Sequence, residues 1–197
     1  LAPGQRIKPA EIRDRFDVSV GVVREALTRL AEQHLVRSEL NKGFQVVSIS
    51  ADELRQLTDA RKVNEGAALR MSIERGDVSW EGEVLAAHHR LVRTPIYPYN
   101  DPDHTNEGFS AAHDQFHFIL MAACGNEYLL DVCRRLFDAA ELYRRWSTSG
   151  GKTRDAKAEH KAIMEAALAR KSDDAVALYQ KHIDRTAEVI LIRLSGD

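Results

Sequence analysis

Two patterns that follow one another within the first fifty residues restrict the fold of this chain more than any other feature. Ser19 precedes apolar residues at helical spacing that continue to Leu30, which predicts an N-capped helix with one buried stripe. Two segments with strand-forming residues, 35–38 and 43–47, lie on either side of turn residues and predict a β-hairpin. A shorter helix is predicted over 7–16. Two helices joined by a tight turn and followed by a hairpin are the order of a winged helix-turn-helix.

The pattern changes at residue 50. From there on, apolar residues recur at helical spacing, and no segment shows the alternation of a strand. We expect Ser50 and Ser79 to cap the first two of six helices near 50–76, 79–92, 108–123, 126–146, 155–170 and 173–194, with a loop over 94–106. The predicted fold is therefore mainly α, with a winged helix-turn-helix over residues 1–49 and an all-α, six-helix antiparallel bundle over residues 50–197.

Composition limits the compartment and the partners. No apolar run has the length of a membrane span, no signal peptide is visible, and the two cysteines have no metal-binding spacing, so we expect a cytoplasmic protein without a membrane partner. Residues 1–50 carry eight basic and six acidic side chains, whereas the rest carries 20 basic and 24 acidic ones. A basic front fits a nucleic-acid-binding head. Because the chain begins at Leu1 rather than Met, we expect an upstream piece to be absent from this sequence.

The second predicted helix resembles a known family. Segment 19–27, S-V-G-V-V-R-E-A-L, is similar to the core S-R-x-P-V-R-x-A-L of the GntR-type winged helix, and the resemblance extends over about residues 3–50. It lacks the first helix of the family, in keeping with a missing N-terminal piece. The resemblance implies binding to a double-stranded DNA operator, with these residues at the interface: Ser19, Gly21, Arg24, Lys42 and Gly43.

Two positions of this interface have specific consequences. Arg24 occupies the position of a family arginine that contacts DNA, whereas Val20 stands where the family usually has a second such arginine. We therefore expect a different operator or weaker binding than in the usual members. A solvated surface charge is the simpler interpretation of an isolated arginine, and a turn lysine such as Lys42 is common without any ligand.

The helical region resembles the FCD-type effector domain of the FadR-like branch of the same family, over about residues 52–194. The resemblance depends on the order of these motifs: Arg61-x-x-x-Glu65, Phe116-His117, Gly125-Asn126, Glu159-His160 with Ile163, and His182. It implies a homodimer that binds a small organic acid as effector. Arg61 matches a family arginine that helps hold the effector carboxylate, a role that suits the planar fork of a guanidinium. An internal ion pair with Glu65, four residues on, is the alternative.

Four of the eight histidines in the chain indicate a metal site. His113 and His117 are four residues apart and share one helix face, while His160 and His182 lie in two later helices. Neutral imidazoles at such positions bind zinc, nickel or copper, although a lone helical histidine is more often an ordinary core or surface residue. In the resembled branch the ligands are D-x-x-F-H and two later histidines, so His117, His160 and His182 match three of them.

The fourth ligand position departs from the family. His113 stands where the family has aspartate, and Asp114 lies about 100° further around the helix. Four neutral imidazoles leave both charges of a divalent ion uncompensated, so we expect an anionic co-ligand and a preference for zinc or nickel over Mg²⁺ and Ca²⁺. Two alternatives stay open. In one, His113 turns away and three histidines bind the ion together with water; in the other, the pocket is polar and binds no metal.

These features predict a DNA-binding transcription regulator whose operator binding responds to a small organic acid near a divalent metal. Because most members of the resembled family are released from DNA by their effector, we expect a repressor. The histidine cluster also leaves two other functions open: a helical metalloenzyme that acts on a small carboxylate, and a regulator that responds to the metal itself. The sequence contains no H-E-x-x-H motif, no nucleophile elbow and no P-loop, so we expect that the chain is not an enzyme.

Overall fold

The chain divides into two units, Leu1–Leu54 and Arg55–Asp197, in the computed structural model. The structure describes residues 4–32, 35–39, 43–48, 50–98, 106–147 and 155–194. Residues 40–42 of the predicted hairpin turn and 99–105 of the predicted loop lie outside this part of the chain. Among the described residues, no helix is long and apolar enough to cross a membrane.

The first unit is a winged helix-turn-helix, as predicted. Its elements are β1 (Arg6–Ile7), α1 (Pro9–Phe16), α2 (Val20–Glu32), β2 (Val36–Glu39) and β3 (Gly43–Val46). The strands form an antiparallel sheet in the order β1-β3-β2, in which β2 and β3 are the predicted hairpin. Ser19 caps α2 as predicted, because its Oγ accepts a hydrogen bond from the backbone N–H of Val22 at 3.2 Å. Of the predicted apolar stripe of this helix, Val23 and Leu27 are buried, whereas Val22 and Ala26 are exposed.

The prediction of a helix over 7–16 is wrong at its start. Ile7 lies in β1, where it pairs with Phe44 of β3, and both side chains are buried. Helix α1 begins at Pro9, where a missing N–H costs nothing. A strand of two residues is too short to show an alternating pattern, so sequence periodicity does not reveal it. Asp17 ends α1 in the left-handed conformation, with φ of 51°, and makes the tight turn before α2.

The rest of the described chain contains the six predicted helices and the turns that join them. The helices are α3 (Ala51–Arg75), α4 (Val78–Arg93), α5 (Glu107–Ala122), α6 (Glu127–Ser147), α7 (Ala156–Leu168) and α8 (Ser172–Leu194). Helices α3 and α8 run in opposite directions, because Lys62 pairs with Asp184 whereas Arg70, two turns later, pairs with Asp173. This direction agrees with the predicted antiparallel bundle.

The starts of the first two bundle helices test the cap predictions. Ser50 caps α3 as predicted, with its Oγ accepting a backbone hydrogen bond at 3.0 Å. The prediction that Ser79 caps α4 is wrong, because the helix begins at Val78 and Oδ1 of Asp77 accepts from the N–H of Trp80 at 2.9 Å. A cap precedes the first helical residue, and Ser79 already lies inside the helix.

Polar groups lie inside the apolar core of the second unit. Leu69, Phe116 and Ile163 are fully buried, and Glu65 and His117 are buried to the same extent. Such polar side chains are rarely buried unless they are paired or bind a ligand. A functional site in this unit is therefore expected around Glu65 and His117.

Candidate functional site

Four histidines from three helices converge inside the second unit. Helix α5 supplies His113 and His117 from one face, α7 supplies His160, and α8 supplies His182. All four are buried, with relative exposures of 8%, 1%, 3% and 6%. One ring nitrogen of each lies within 4.8 Å of those of the others. The structure thus brings together the four histidines that the sequence analysis selected, including His113.

The spacing of the rings suits a single ion. The Nε2 atoms of His113 and His117 lie 3.2 Å apart, and two nitrogen ligands on one tetrahedral zinc ion lie about 3.4 Å apart. The ring centres of His160 and His182 are 4.6 Å apart, and the ring centre of His117 is 5.2 Å from each of them. The four rings therefore surround one small space with donors of the type that zinc, nickel and copper prefer.

Burial controls the charge of these rings. It lowers the pKa of His113 and of His117 well below the usual value for histidine, and the positive charge of Arg144 lowers that of His113 further. Both rings are neutral at pH 7, which is the state that donates a lone pair to a metal. Nδ1 of His117 is buried without a hydrogen-bond partner among the described residues. Burying such an atom is costly, so the core around His117 favours a further polar partner for this ring.

The fourth histidine has a carboxylate partner that the sequence analysis did not select as a site residue. Nδ1 of His182 lies 2.8 Å from Oε2 of Glu159. The two residues are 23 positions apart and belong to different helices, so no local spacing connects them. The Glu159-His160 motif belongs to the family resemblance, but nothing in it predicts a contact with His182.

Arg144 of α6 is a second residue near the site that the sequence analysis missed. Its guanidinium forms ion pairs with Glu141 and Asp114, and Asp114 lies 3.7 Å from Nδ1 of His113. Asp114 therefore stands beside the cluster, next to the ring nitrogen of His113 that does not face His117. No motif includes Arg144, so only the packing of α6 against α5 reveals its position.

Arg61 of α3 is buried and paired. Its Nε donates to Oε1 of Glu65 at 2.6 Å, its Nη2 donates to Oε2 at 3.1 Å, and the hydroxyl of Tyr179 donates to the same carboxylate at 2.7 Å. Burial alone would lower the pKa of Arg61, but its contacts with Glu65 and Tyr179 together outweigh burial and raise it. The internal ion pair, which was the alternative to an effector role, is thus present. Arg61 also lies 5.1 Å from the ring of Phe137, which packs against His117.

Three of the predicted DNA-binding residues lie at the start of α2, and Gly43 is the first residue of β3 in the wing, which is the hairpin of β2 and β3. Gly21 and Arg24 are exposed near the start of α2, directly after its cap Ser19. Among the described residues, a Cβ added to Gly21 would meet only Ser19 Oγ at 3.6 Å, so packing inside the unit does not require glycine here. Gly43 has φ of 84°, which favours glycine, so the hairpin itself accounts for this residue. Lys42 lies outside the described residues.

Both units match known protein families. Residues 1–46 match the bacterial regulatory proteins of the gntR family, and residues 56–185 match the FCD domain. The chain belongs to the GntR family of transcription regulators. The family resemblance of the sequence is therefore confirmed for the winged helix and for the FCD-type helical domain of this GntR-family regulator.

Two relatives align along nearly the whole GntR-family chain. The HTH-type transcriptional regulator BphR of Paraburkholderia xenovorans (strain LB400) is 33% identical over 191 residues, which cover 96% of this chain and 78% of that protein. The HTH-type transcriptional repressor GlaR of Escherichia coli (strain K12) is 30% identical over 200 residues, which cover 99% of this chain and 90% of that protein. The prediction of a transcription regulator that is not an enzyme is confirmed by these relatives.

A solved structure shares the fold of the helical unit. The Zn²⁺-bound FCD domain of the transcriptional regulator TM0439 superposes with a TM-score of 0.58 at 16% sequence identity. The superposition covers 76% of this chain and 99% of that domain. At this level of identity the likeness concerns the fold of the GntR-family chain, and the zinc ion belongs to the TM0439 domain.

Proposed function

We propose that this GntR-family chain is a homodimeric regulator whose operator binding is controlled by a small organic acid held near a divalent metal ion in the helical unit. The observation that carries the proposal is the convergence of four buried histidines from α5, α7 and α8. Buried imidazoles are unfavourable in a core unless a hydrogen-bond partner or a ligand replaces the water that their nitrogens lose. A bound cation supplies that compensation for four imidazoles at once.

The proposed ligands are His113, His117, His160 and His182, and the proposed ion is zinc or nickel. An all-nitrogen donor set favours these metals over Mg²⁺ and Ca²⁺, which prefer oxygen. The zinc ion in the FCD domain of TM0439 supports the same choice, because that domain shares the fold. When bound, such an ion acts as a Lewis acid that attracts anions.

The proposed effector is a small organic acid. Four neutral ligands leave a divalent ion with both positive charges, so a carboxylate is favoured beside it. The ion pair with Glu65 balances the charge of Arg61, so the metal supplies most of the attraction for the effector. We propose that Arg61 orients the bound carboxylate. The ring of Phe137 lies between Arg61 and His117 and contacts both of them.

The proposed DNA interface consists of α2 and the wing. Arg24 is exposed on the helix that enters the major groove in this fold. Gly21 has room for a side chain among its described neighbours, so packing does not explain why this position is glycine. A close approach of DNA to the backbone would explain it. We propose Ser19, Lys42 and Gly43 as further contacts, of which Gly43 begins strand β3 of the wing.

The proposed control follows from symmetry and linkage. A homodimer places two winged helices on two related half-sites of an operator in the cytoplasm. An effector changes operator affinity only when it binds one arrangement of the dimer more tightly than the other. We propose a repressor that the acid releases from DNA, and the naming of the relative GlaR as a repressor supports the repressor part of this proposal.

The test measures operator binding in four states of the protein. A duplex is first selected from random DNA by binding to the purified chain, and its affinity is then measured with metal-free protein, with zinc, with acid, and with both. The acids are acetate, lactate, malonate, succinate and citrate. We expect at least one acid to change the affinity about tenfold, which is ~1.4 kcal/mol, and only in the presence of zinc. A response to zinc alone would identify a metal sensor, and no response in any state would contradict the proposal.

A further inference from the structure

The side chain of Glu159 connects the histidine cluster with the surface of the helical unit. Its Oε2 lies 2.8 Å from Nδ1 of His182, and its Oε1 accepts a hydrogen bond from Nη1 of Arg185 at 2.9 Å. The side chains of Glu159 and His182 are only 11% and 7% exposed, whereas that of Arg185 is 45% exposed. The contact with His182 is therefore shielded from water, and the contact with Arg185 is not.

The contact fixes which nitrogen of His182 carries the proton. A carboxylate is only an acceptor, so at 2.8 Å the Nδ1 atom of a neutral His182 must be the donor. Nε2 then holds the lone pair and is the atom that His182 offers to an ion. Metal-binding histidines commonly have such a carboxylate on the second nitrogen, where it orients the ring and raises its basicity.

Glu159 also supplies a charge that the four histidines lack. The four proposed ligands are neutral imidazoles, so the donor set itself carries no negative charge. Asp114 is near His113, but it lies 3.7 Å away and is shared with Arg144. The contact of Glu159 with His182 is shorter than that of Asp114 with His113. Solvent partly screens the positive charge of Arg185, so Arg185 cancels only part of the charge of Glu159.

The start of α7 holds Glu159 in place. The backbone N–H of Glu159 bonds to the carbonyl of Asp155 at 3.2 Å, and the Asp155 side chain caps the helix by accepting from the N–H of Ala158. His182 and Arg185 are three residues apart on α8, so both partners of Glu159 come from one helix face. This face borders an open cleft of about 540 Å³ that Glu159, Arg185 and Glu188 line together.

We infer that Glu159 is a positioning residue of the metal site, which acts through His182 by fixing its proton on Nδ1 and by placing a negative charge next to four neutral ligands. The inference rests on the metal part of the proposed function and extends it to a residue that is not itself a ligand. It requires neither the organic acid nor DNA, so it can be tested without them.

The test compares zinc affinities of the full chain by competition with a chromophoric chelator. Glu159→Ala removes both the acceptor and the charge, and we expect its affinity to fall by about 10- to 100-fold. Glu159→Gln keeps an acceptor oxygen and loses the charge, so its affinity should lie between those of the wild type and Glu159→Ala. Glu188→Gln is the matched control, because Glu188 is an exposed residue of the same cleft that lies outside the histidine cluster; its affinity should stay within about twofold of the wild type.

A second readout separates positioning from general stability. Nitrogen-15 spectra of the metal-free protein should show His182 protonated on Nδ1 in the wild type and on both nitrogens in exchange in Glu159→Ala. Arg185→Ala removes only the outer ion pair and should leave zinc affinity unchanged or slightly higher. Equal losses in Arg185→Ala and Glu159→Ala would overturn the inference in favour of a structural ion pair.

The outcomes distinguish the inference from the proposed function. Zinc uptake by the wild type with no loss in Glu159→Ala would overturn the inference and leave the metal site standing. A wild type that takes up no zinc would overturn both. A wild type that binds zinc but shows no response of DNA binding to any acid would remove the proposed control, and the role of Glu159 would still be decided by the zinc affinities.

Discussion

Each unit of the molecule contains an arginine–glutamate pair with the same spacing along a helix, and the two pairs differ in burial. In α2, Nη2 of Arg29 lies 2.7 Å from Oε1 of Glu25, with side chains 74% and 65% exposed. In α3, Nε of Arg61 lies 2.6 Å from Oε1 of Glu65, with side chains 11% and 0% exposed. An exposed pair contributes ~0–1 kcal/mol to stability, whereas breaking a buried pair costs ~3–5 kcal/mol.

The difference reflects where each unit keeps its polar groups. The winged helix has an apolar interior around Val23, Leu27 and Phe44, and exposed charged side chains such as Arg24 and Arg29 face solvent, where DNA phosphates can replace water as partners. The helical unit encloses Arg61 and four histidines in its core, where only a protein partner or a bound ligand compensates them. Polar changes should therefore affect binding in the first unit and both stability and ligand content in the second.

The largest expected effect is on metal content. His160→Ala removes one donor from the buried cluster and should lower zinc affinity more than about 100-fold, because even an outer partner of a ligand contributes about 10- to 100-fold. His89→Ala is the control, since His89 is exposed on α4 and lies outside the cluster. Elemental analysis of both purified proteins checks this prediction, and a full zinc content in His160→Ala would count against the site.

The two ion pairs should respond differently to loss of their arginine. Arg61→Met leaves the Glu65 carboxylate buried without its cation and should lower the free energy of unfolding by ~3–5 kcal/mol. Arg29→Met leaves Glu25 in solvent and should change it by less than ~1 kcal/mol. Urea unfolding followed by circular dichroism measures both values. Similar small changes in the two variants would erase the contrast between the units.

The exposed arginine of α2 should affect DNA binding and not stability. Arg24→Ala is expected to weaken binding to the selected duplex by ~1–3 kcal/mol, the range for a specific contact. Arg93→Ala, an exposed arginine on α4, should leave the affinity unchanged. Fluorescence anisotropy at several salt concentrations checks the result. If Arg24→Ala binds as the wild type does, Arg24 lies outside the interface.

The smallest effect should be the same in both units, because helix caps act locally. Ser19→Ala and Asp77→Ala each remove a side-chain acceptor at a helix start and should each lower the free energy of unfolding by ~1 kcal/mol. Ser79→Ala, one residue inside α4, should change it by less than ~0.5 kcal/mol. A larger loss in Ser79→Ala than in Asp77→Ala would reverse the correction that the structure makes to the predicted cap.

The sequence predicted the fold well because long helices and the winged-helix order leave strong periodic patterns. It missed β1 because two residues carry no period, and Ile7 fitted the helix pattern as well as the strand. It misplaced the cap of α4 because aspartate and serine are both good caps, so the choice between Asp77 and Ser79 depends on where α3 ends.

The site was predictable only in part. The spacing of His113 and His117 shows that they share a face, but their convergence with His160 and His182 came from the family resemblance. The contact between Glu159 and His182 has no local signal, because it depends on how α7 packs against α8. The sequence also left the pairing of Arg61 open, since spacing permits an ion pair with Glu65 and burial decides its strength.

The origin of the four histidines on α5, α7 and α8 has a consequence for the unfolded chain. An ion held by His113 and His182 joins positions that nearly seventy residues of sequence separate. Such an ion acts as a reversible cross-link between the three helices. The chain regains the full freedom of the denatured state only after the ion has dissociated. If the proposed ion is bound, its removal by a chelator should therefore reduce the resistance of the helical unit to proteolysis.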